Sequence, residues 1–251
     1  MTEDFIMGGV PKRPEDIFKD YTDDYRGVFQ DDLENITLFG SGARGGYVPG
    51  KSDLNFLLVL TEAALGSLER AVAVTAKWRK RAVAAPLVMS RSYIETSLDV
   101  YPVEFLDMKL HHVTVFGPDI LAEIEIRRSH LRWQLERELK GKLLLLRRGF
   151  LEAGRDAKAL KGLIAASLKA VFPYLASLVY IRRGEVPGDR RDLIAAAREG
   201  FGIDGDLLTR CLAVKEGSSH PGREELIALF SDYMVEVARW CRIVDELKIE
   251  A

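Results

Sequence analysis

The chain has 251 residues, 47% of them hydrophobic and 29% charged, with 36 basic against 38 acidic side chains. That is enough apolar material for one large domain or two smaller ones with real cores. The near-neutral total argues against a general binder of nucleic acid or of membranes, which would show a basic excess. The charge is nevertheless uneven. Residues 1–125 hold 13 basic and 20 acidic side chains, for −7, and the remainder holds 23 and 18, for +5. Solvated helix faces that happen to differ account for this, or a basic half that helps hold a polyanionic substrate.

The opening MTEDFIMGGVPKR lacks a basic start followed by an apolar core, so no secretory leader is expected. No apolar run approaching the roughly 18 residues of a membrane span is expected, and the cytoplasm is the expected compartment. Cys211 and Cys241 sit in apolar helical stretches without a CxxC or a His/Cys cluster, which reads as buried thiols.

In chain order, Pro14 opens an amphipathic helix over 14–30, with Ile17, Phe18, Tyr21, Tyr25, Val28 and Phe29 at helical spacing. Ile36–Phe39 is a short buried strand that stops at Gly40. The stretch Ser41–Ser52 is loop, and Leu54–Leu60 is a central strand. A long helix is expected over 62–83, ending in Lys77, Arg79, Lys80 and Arg81; cations in a last turn suit the helix dipole and need no ligand. Residues 86–89 form a short strand, and Ser90 caps a brief helix. Residues 102–109, PVEFLDMK, are expected as a further strand with Glu104 and Asp107 on opposite faces. After the break at Gly117-Pro118-Asp119 the chain reads as helices near 126–153, 156–183, 189–200, 204–216 and 221–248, with Pro173 kinking the second. The aromatic residues Trp133, Phe172, Tyr174, Phe230, Tyr233 and Trp240 are expected in the core of this bundle, or one or two of them along an interdomain cleft for the second substrate.

The chemistry is concentrated in ITLFGSGARGGYVPGKSDLNFLLVL, residues 36–60. Gly40 permits close backbone approach, and the turn amides and the Ser41 hydroxyl can donate to phosphate oxygens. Arg44 adds a positive charge. Asp53 and Asn55 lie two apart on a strand and so face the same way, as oxygen donors for Mg²⁺ brought with phosphates.

Phe39-Gly40-Ser41, eleven intervening residues, then Asp53-Leu54-Asn55 resembles the nucleotidyltransferase superfamily of DNA polymerase beta-like enzymes and aminoglycoside nucleotidyltransferases. The resemblance implies an α/β nucleotidyltransferase-type domain with a short mixed sheet, over 1–120, followed by an all-α helical bundle, over 121–251. It implies transfer of a nucleoside monophosphate, AMP from ATP, to a hydroxyl of a small molecule or protein, with Mg²⁺. Gly40, Ser41 and Arg44 would hold the triphosphate. Asp53, Asn55 and Glu104 would bind metal, with Asp53 and Glu104 catalytic and Glu104 the alternative general base; a plain surface glutamate is the other reading of that position.

The departure is Asn55, where the family pattern has a second carboxylate. An amide ligates Mg²⁺ without adding charge, so a second ion is expected to bind weakly and turnover to fall. A degenerate relative acting as a nucleotide-binding or protein-interaction module is therefore the alternative. An interaction protein that works through its bundle, as an oligomer or with a protein partner, is a third. His111 and His112 are expected at the surface, with at most one of them reaching the site mouth, and His220 in local structure. The helical half lacks the Arg-to-His spacing of HEPN-type nucleases, which disfavours RNase activity.

Overall fold

The computed structural model describes residues 9–249; the opening on which the leader expectation rests lies, up to Gly8, outside the described residues. The chain divides into two compact units. The first is residues 9–98 with 107–125, and the second is 99–106 with 126–249.

Unit 1 is built on a mixed four-stranded sheet of order β3-β2-β1-β4. Strand β1 (Leu33–Phe39) pairs antiparallel with β2 (Asn55–Leu60) and with β4 (His112–Phe116), while β3 (Leu87–Met89) joins β2 in parallel. Strand β2 is buried along nearly its whole length, as its unbroken apolar run FLLVL after Asn55 requires. Helix α1 (Phe18–Phe29) lays Tyr21 and Tyr25 on this sheet. Tyr21 stacks on Phe56 at 4.1 Å and meets the edge of Trp78 at 5.2 Å. Trp78 comes from α2 (Val72–Arg79), and these rings with Ile17, Leu54 and Leu58 form the core.

Two expectations over the first 125 residues are corrected. The helix expected over 62–83 is a 3-10 segment at Ala64–Ala71, kinked at Ser67, followed by α2. Gly66 and Ser67 interrupt what the apolar spacing alone would continue. Residues 102–109 are not a strand but belong to a helix, α4 (Pro102–Leu110), which follows α3 (Arg91–Ser97). Its Val103, Phe105 and Leu106 are buried and Glu104 is exposed, a helical pattern that four residues of alternation had imitated. The strand instead begins at His112, where Val113-Thr114-Val115 supplies the β-branched run. A single turn, α5 (Ile120–Glu123), closes the unit, capped by Asp119.

Unit 2 is a helical bundle of α6 (Arg128–Ala153), α7 (Ala157–Arg183), α8 (Arg190–Phe201), α9 (Gly205–Glu216) and α10 (Arg223–Glu246). Asp156, Asp189 and Asp204 cap α7, α8 and α9 with their carboxylates. Helix α7 packs against each of the other four. It is long and apolar enough by length and composition to cross a membrane, against the expectation of no such run. Here 61% of its most apolar window is buried inside the fold, so its apolarity is used in the bundle core. Cys211 and Cys241 are buried free thiols, and burial pushes Cys211 up to about 12. Trp133, expected in the core, is 64% exposed on α6.

Candidate functional site

Strand register joins the two halves of the Gly-Ser and Asp-Leu-Asn pattern. Phe39, the last residue of β1, pairs with Asn55, the first of β2. The turn that starts at Gly40 therefore lies beside Asp53–Asn55. Gly40 adopts φ +73, a left-handed conformation that favours glycine; a Cβ there would stand 3.5 Å from Asn55 Nδ2, so conformation rather than space selects the residue. Gly42 is selected by space, since a Cβ would meet the Leu54 and Leu38 side chains at 3.0 and 3.3 Å.

The turn uses some of its amides internally. Those of Ala43 and Arg44 donate to the Gly40 carbonyl, both at 3.2 Å, and that of Gly46 to the Ser41 carbonyl at 3.0 Å. The amides of Ser41 and Gly42 donate to no acceptor among the described residues, and Ser41 is exposed. A second turn returns the chain to β2, with the Lys51 and Ser52 amides on the Val48 carbonyl at 3.0 and 2.9 Å. Asp53 is exposed, and its charge together with burial raises the pKa of Tyr47, burial being the larger cause. Tyr47 donates its hydroxyl to the Pro11 carbonyl at 2.9 Å, which ties this loop to the N-terminal segment.

Arg44 is not a free cation. Its guanidinium pairs with Asp107, and Asp107 also has His111 Nδ1 at 3.6 Å. Asp107, set aside on the strand reading, is thus the carboxylate that unit 1 brings to the glycine-rich turn. A helical reading of PVEFLDMKL sets Glu104 and Asp107 three residues apart on neighbouring positions of the helix surface, where the strand reading had put them on opposite faces.

Glu104 is counted with unit 2. Its carboxylate accepts a hydrogen bond from Gln134 Nε2 at 2.7 Å, and Gln134 Oε1 accepts the Val103 amide at 2.8 Å. Gln134 is buried, so it satisfies a first-turn amide of α4 that the helix itself cannot. Sequence reasoning missed this clamp because nothing marks a lone glutamine in a helix.

His112 is not the surface residue expected, its side chain being 11% exposed. It pairs with Phe39 in the sheet, holds Asp119 Oδ1 at 2.8 Å through Nε2, and places Nδ1 at 3.0 Å from the Met108 and Lys109 carbonyls.

Among the described residues no three His, Cys, Asp or Glu side chains gather as a metal cage. Beside the turn stand the Asp53 carboxylate and the Asn55 amide, while the Asp107 carboxylate is taken by Arg44. Mg²⁺ commonly binds through one or two carboxylates plus substrate phosphates and keeps several waters. The donor set fits a single Mg²⁺ that arrives with its phosphates and does not fit a two-ion site.

No family model and no curated protein matches the chain. Among solved structures it is similar to spectinomycin adenyltransferase AAD(9) from Enterococcus faecialis, crystallised with ATP and spectinomycin. The identity is 12%, the match covers 88% of this chain and 99% of that one, and the TM-score is 0.48.

Proposed function

We propose that this protein binds a nucleoside triphosphate, ATP first among them, at the β1–β2 turn of unit 1. It is read as a nucleotidyltransferase-type protein whose phosphate recognition is kept and whose transfer is weakened at Asn55. The observation that carries the reading is the pairing of Phe39 with Asn55, which sets the unspent Ser41 and Gly42 amides beside the exposed Asp53. Amides without internal acceptors at a glycine-rich turn form an anion cradle. A carboxylate next to that cradle serves a metal-bound phosphate better than a bare one, because Asp53 alone would repel the anion. Mg²⁺ held by Asp53 and Asn55 would supply the charge that offsets the phosphates.

In the transfer mode a hydroxyl of a small molecule or protein attacks the α-phosphorus and pyrophosphate leaves, giving an AMP-modified acceptor. The exposed carboxylate of Asp53 favours some residual transfer, and the amide at 55 limits it, since two-ion phosphoryl transfer relies on a charge-rich site.

The test is a melting scan with ATP, CTP, GTP and UTP, each with Mg²⁺ or EDTA. A ligand at 100 times its Kd stabilises by about 2.7 kcal/mol, a readily measured shift. The expected result is a Mg²⁺-dependent shift with one nucleotide that disappears in Asp53→Ala. A flat response to all four sinks the proposal. Pyrophosphate release that rises in Asn55→Asp marks weakened transfer, whereas full release by the natural chain, lost in Asp53→Ala, marks a working enzyme.

A further inference from the structure

The basic cluster at the end of α2, which the helix dipole alone appeared to explain, separates into different environments. Lys77 is paired with Asp24 at 2.7 Å, and Arg79 and Lys80 are exposed. Arg81 is different. Its guanidinium lies over the Trp78 ring, 4.6 Å from the centroid, and Trp78 is itself buried and anchored by Nε1 to Asp24 at 2.8 Å. Arg81 Nε is buried and has no acceptor, and Arg81 forms no ion pair, among the described residues.

The bend that carries Arg81 is fixed to the candidate site by backbone. Leu54 donates its amide to the Ala82 carbonyl at 3.0 Å and accepts the Ala84 amide at 2.9 Å, and Leu54 and Val83 form a parallel bridge. The bend is thus joined by backbone to the residue that follows Asp53. Ala82 holds φ +57, left-handed for a residue with a Cβ. The Arg81 and Val83 amides both close on the Trp78 carbonyl, at 2.8 and 3.2 Å, and keep the strained bend in place. Strain of this kind persists where surroundings over-determine it and gathers at binding sites.

We propose that Arg81 is the phosphate-binding cation of this site, in the role that the sequence suggested for Arg44. The inference rests on the nucleotide-binding reading and adds the residue that neutralises the ligand. Arg44 has its charge answered by Asp107; Arg81 has no ion-pair partner among the described residues. Stacking on the indole fixes the guanidinium plane, and the two terminal nitrogens, which make no hydrogen bond among the described residues, present the edge that grips two oxygens of a phosphate.

The test uses the full chain and titration calorimetry with two probes, inorganic tripolyphosphate and Mg-ATP, on the natural protein, Arg81→Gln, Arg81→Lys and Lys80→Gln. Arg81→Gln is expected to weaken both probes by about tenfold or more, the scale of one charge-assisted contact. Arg81→Lys keeps the charge and loses the planar edge, so it falls between, while Lys80→Gln, the same charge change one residue away, stays within about twofold of the natural protein. Melting without ligand checks that each variant folds, and Arg81→Lys carries the test if Arg81→Gln does not. Binding of tripolyphosphate that Arg81 variants weaken, without binding of Mg-ATP, upholds Arg81 and overturns the nucleotide reading. Binding of both probes that neither Arg81 variant weakens, or that Lys80→Gln weakens as much, overturns Arg81 and leaves the nucleotide reading standing. Binding of neither overturns both.

Discussion

Unit 2 answers its buried polar side chains; unit 1 leaves some of its own unanswered. In the bundle, Gln134 bonds Val103 and Glu104, Ser167 meets the Tyr233 hydroxyl at 2.8 Å, and Ser177 donates to the Pro173 carbonyl at 2.9 Å. Glu236 accepts from Trp240 Nε1, the Asp204 amide and Arg239. The three buried side-chain polar atoms without a partner among the described residues, Tyr21 Oη, Arg81 Nε and Thr114 Oγ1, all belong to unit 1. An unmade buried hydrogen bond costs about 1–3 kcal/mol. A unit that exists to be stable avoids that cost, as the bundle does. A unit that carries a site can tolerate that cost; Tyr21 has the Tyr25 hydroxyl beside it, Thr114 has Asp119, and the guanidinium of Arg81 rests on Trp78.

The largest expected effect lies in the satisfied unit. Glu236→Ala would strip Trp240 Nε1 and the Asp204 amide of their acceptor at a buried position. The expected loss is about 3 kcal/mol in urea unfolding, as for other broken buried pairs. A loss below about 1 kcal/mol, typical of a surface pair, would break the contrast between the units.

Second in size is a backbone contact in unit 1. Gly117 holds φ +78, and a Cβ there would stand 2.1 Å from the Glu34 carbonyl oxygen. The same bend is tied to β1 by buried Asn35, which donates to the Pro118 carbonyl at 2.7 Å and accepts from Thr37. Gly117→Ala combines backbone strain with a clash that no rotamer relieves, for an expected loss of about 2–3 kcal/mol. A melting temperature within a degree or two of the natural chain would show that this bend yields instead.

What sequence made legible follows the same division. The bundle helices are long, and Gly154, Gly184, Gly202 and Gly217 punctuate them, so period and capping point the same way; the expected ends fall within about two residues of the observed ones. The β1–turn–β2 pattern was legible because glycine and the flanking apolar runs mark it locally. Glu104 and Asp107 were not, because Val103-Glu104-Phe105 fits alternation and Pro102–Leu106 fits a helix, and only packing decides between short apolar runs. The pairing of Arg44 with Asp107 and the stacking of Arg81 on Trp78 depend on tertiary placement, for which charge patterning gives no sign. Trp133 shows the converse, an aromatic at core spacing that faces solvent.

Third, Gln134→Ala tests whether Glu104 is structural. Removing the clamp leaves the Val103 amide without its acceptor, for about 1–2 kcal/mol of stability. Glu104→Gln, which keeps a partner for Gln134, is expected to leave the melting temperature and any nucleotide-induced shift unchanged. Loss of that shift in Glu104→Gln, at unaltered stability, would return Glu104 to the site as metal ligand or base.

The smallest effect concerns pH and Asp119. Burial alone would raise its carboxyl, but the Ala122 amide and then His112 outweigh it and hold the pKa below the ordinary value. A carboxylate whose native pKa is depressed stabilises the fold above its unfolded pKa, near 3.9, and loses that contribution as pH falls through the lower native value. The side chain is 46% exposed, so solvent screening keeps the contribution below about 1 kcal/mol. Asp119→Asn should therefore melt slightly below the natural protein at pH 6, with the gap shrinking from pH 4 downward. Because the amide keeps an oxygen for the Ala122 cap, the part of the gap that vanishes with acid measures the Asp119 charge rather than the cap. A gap unchanged at pH 3 would assign Asp119 to capping alone and leave His112 held by the Met108 and Lys109 carbonyls.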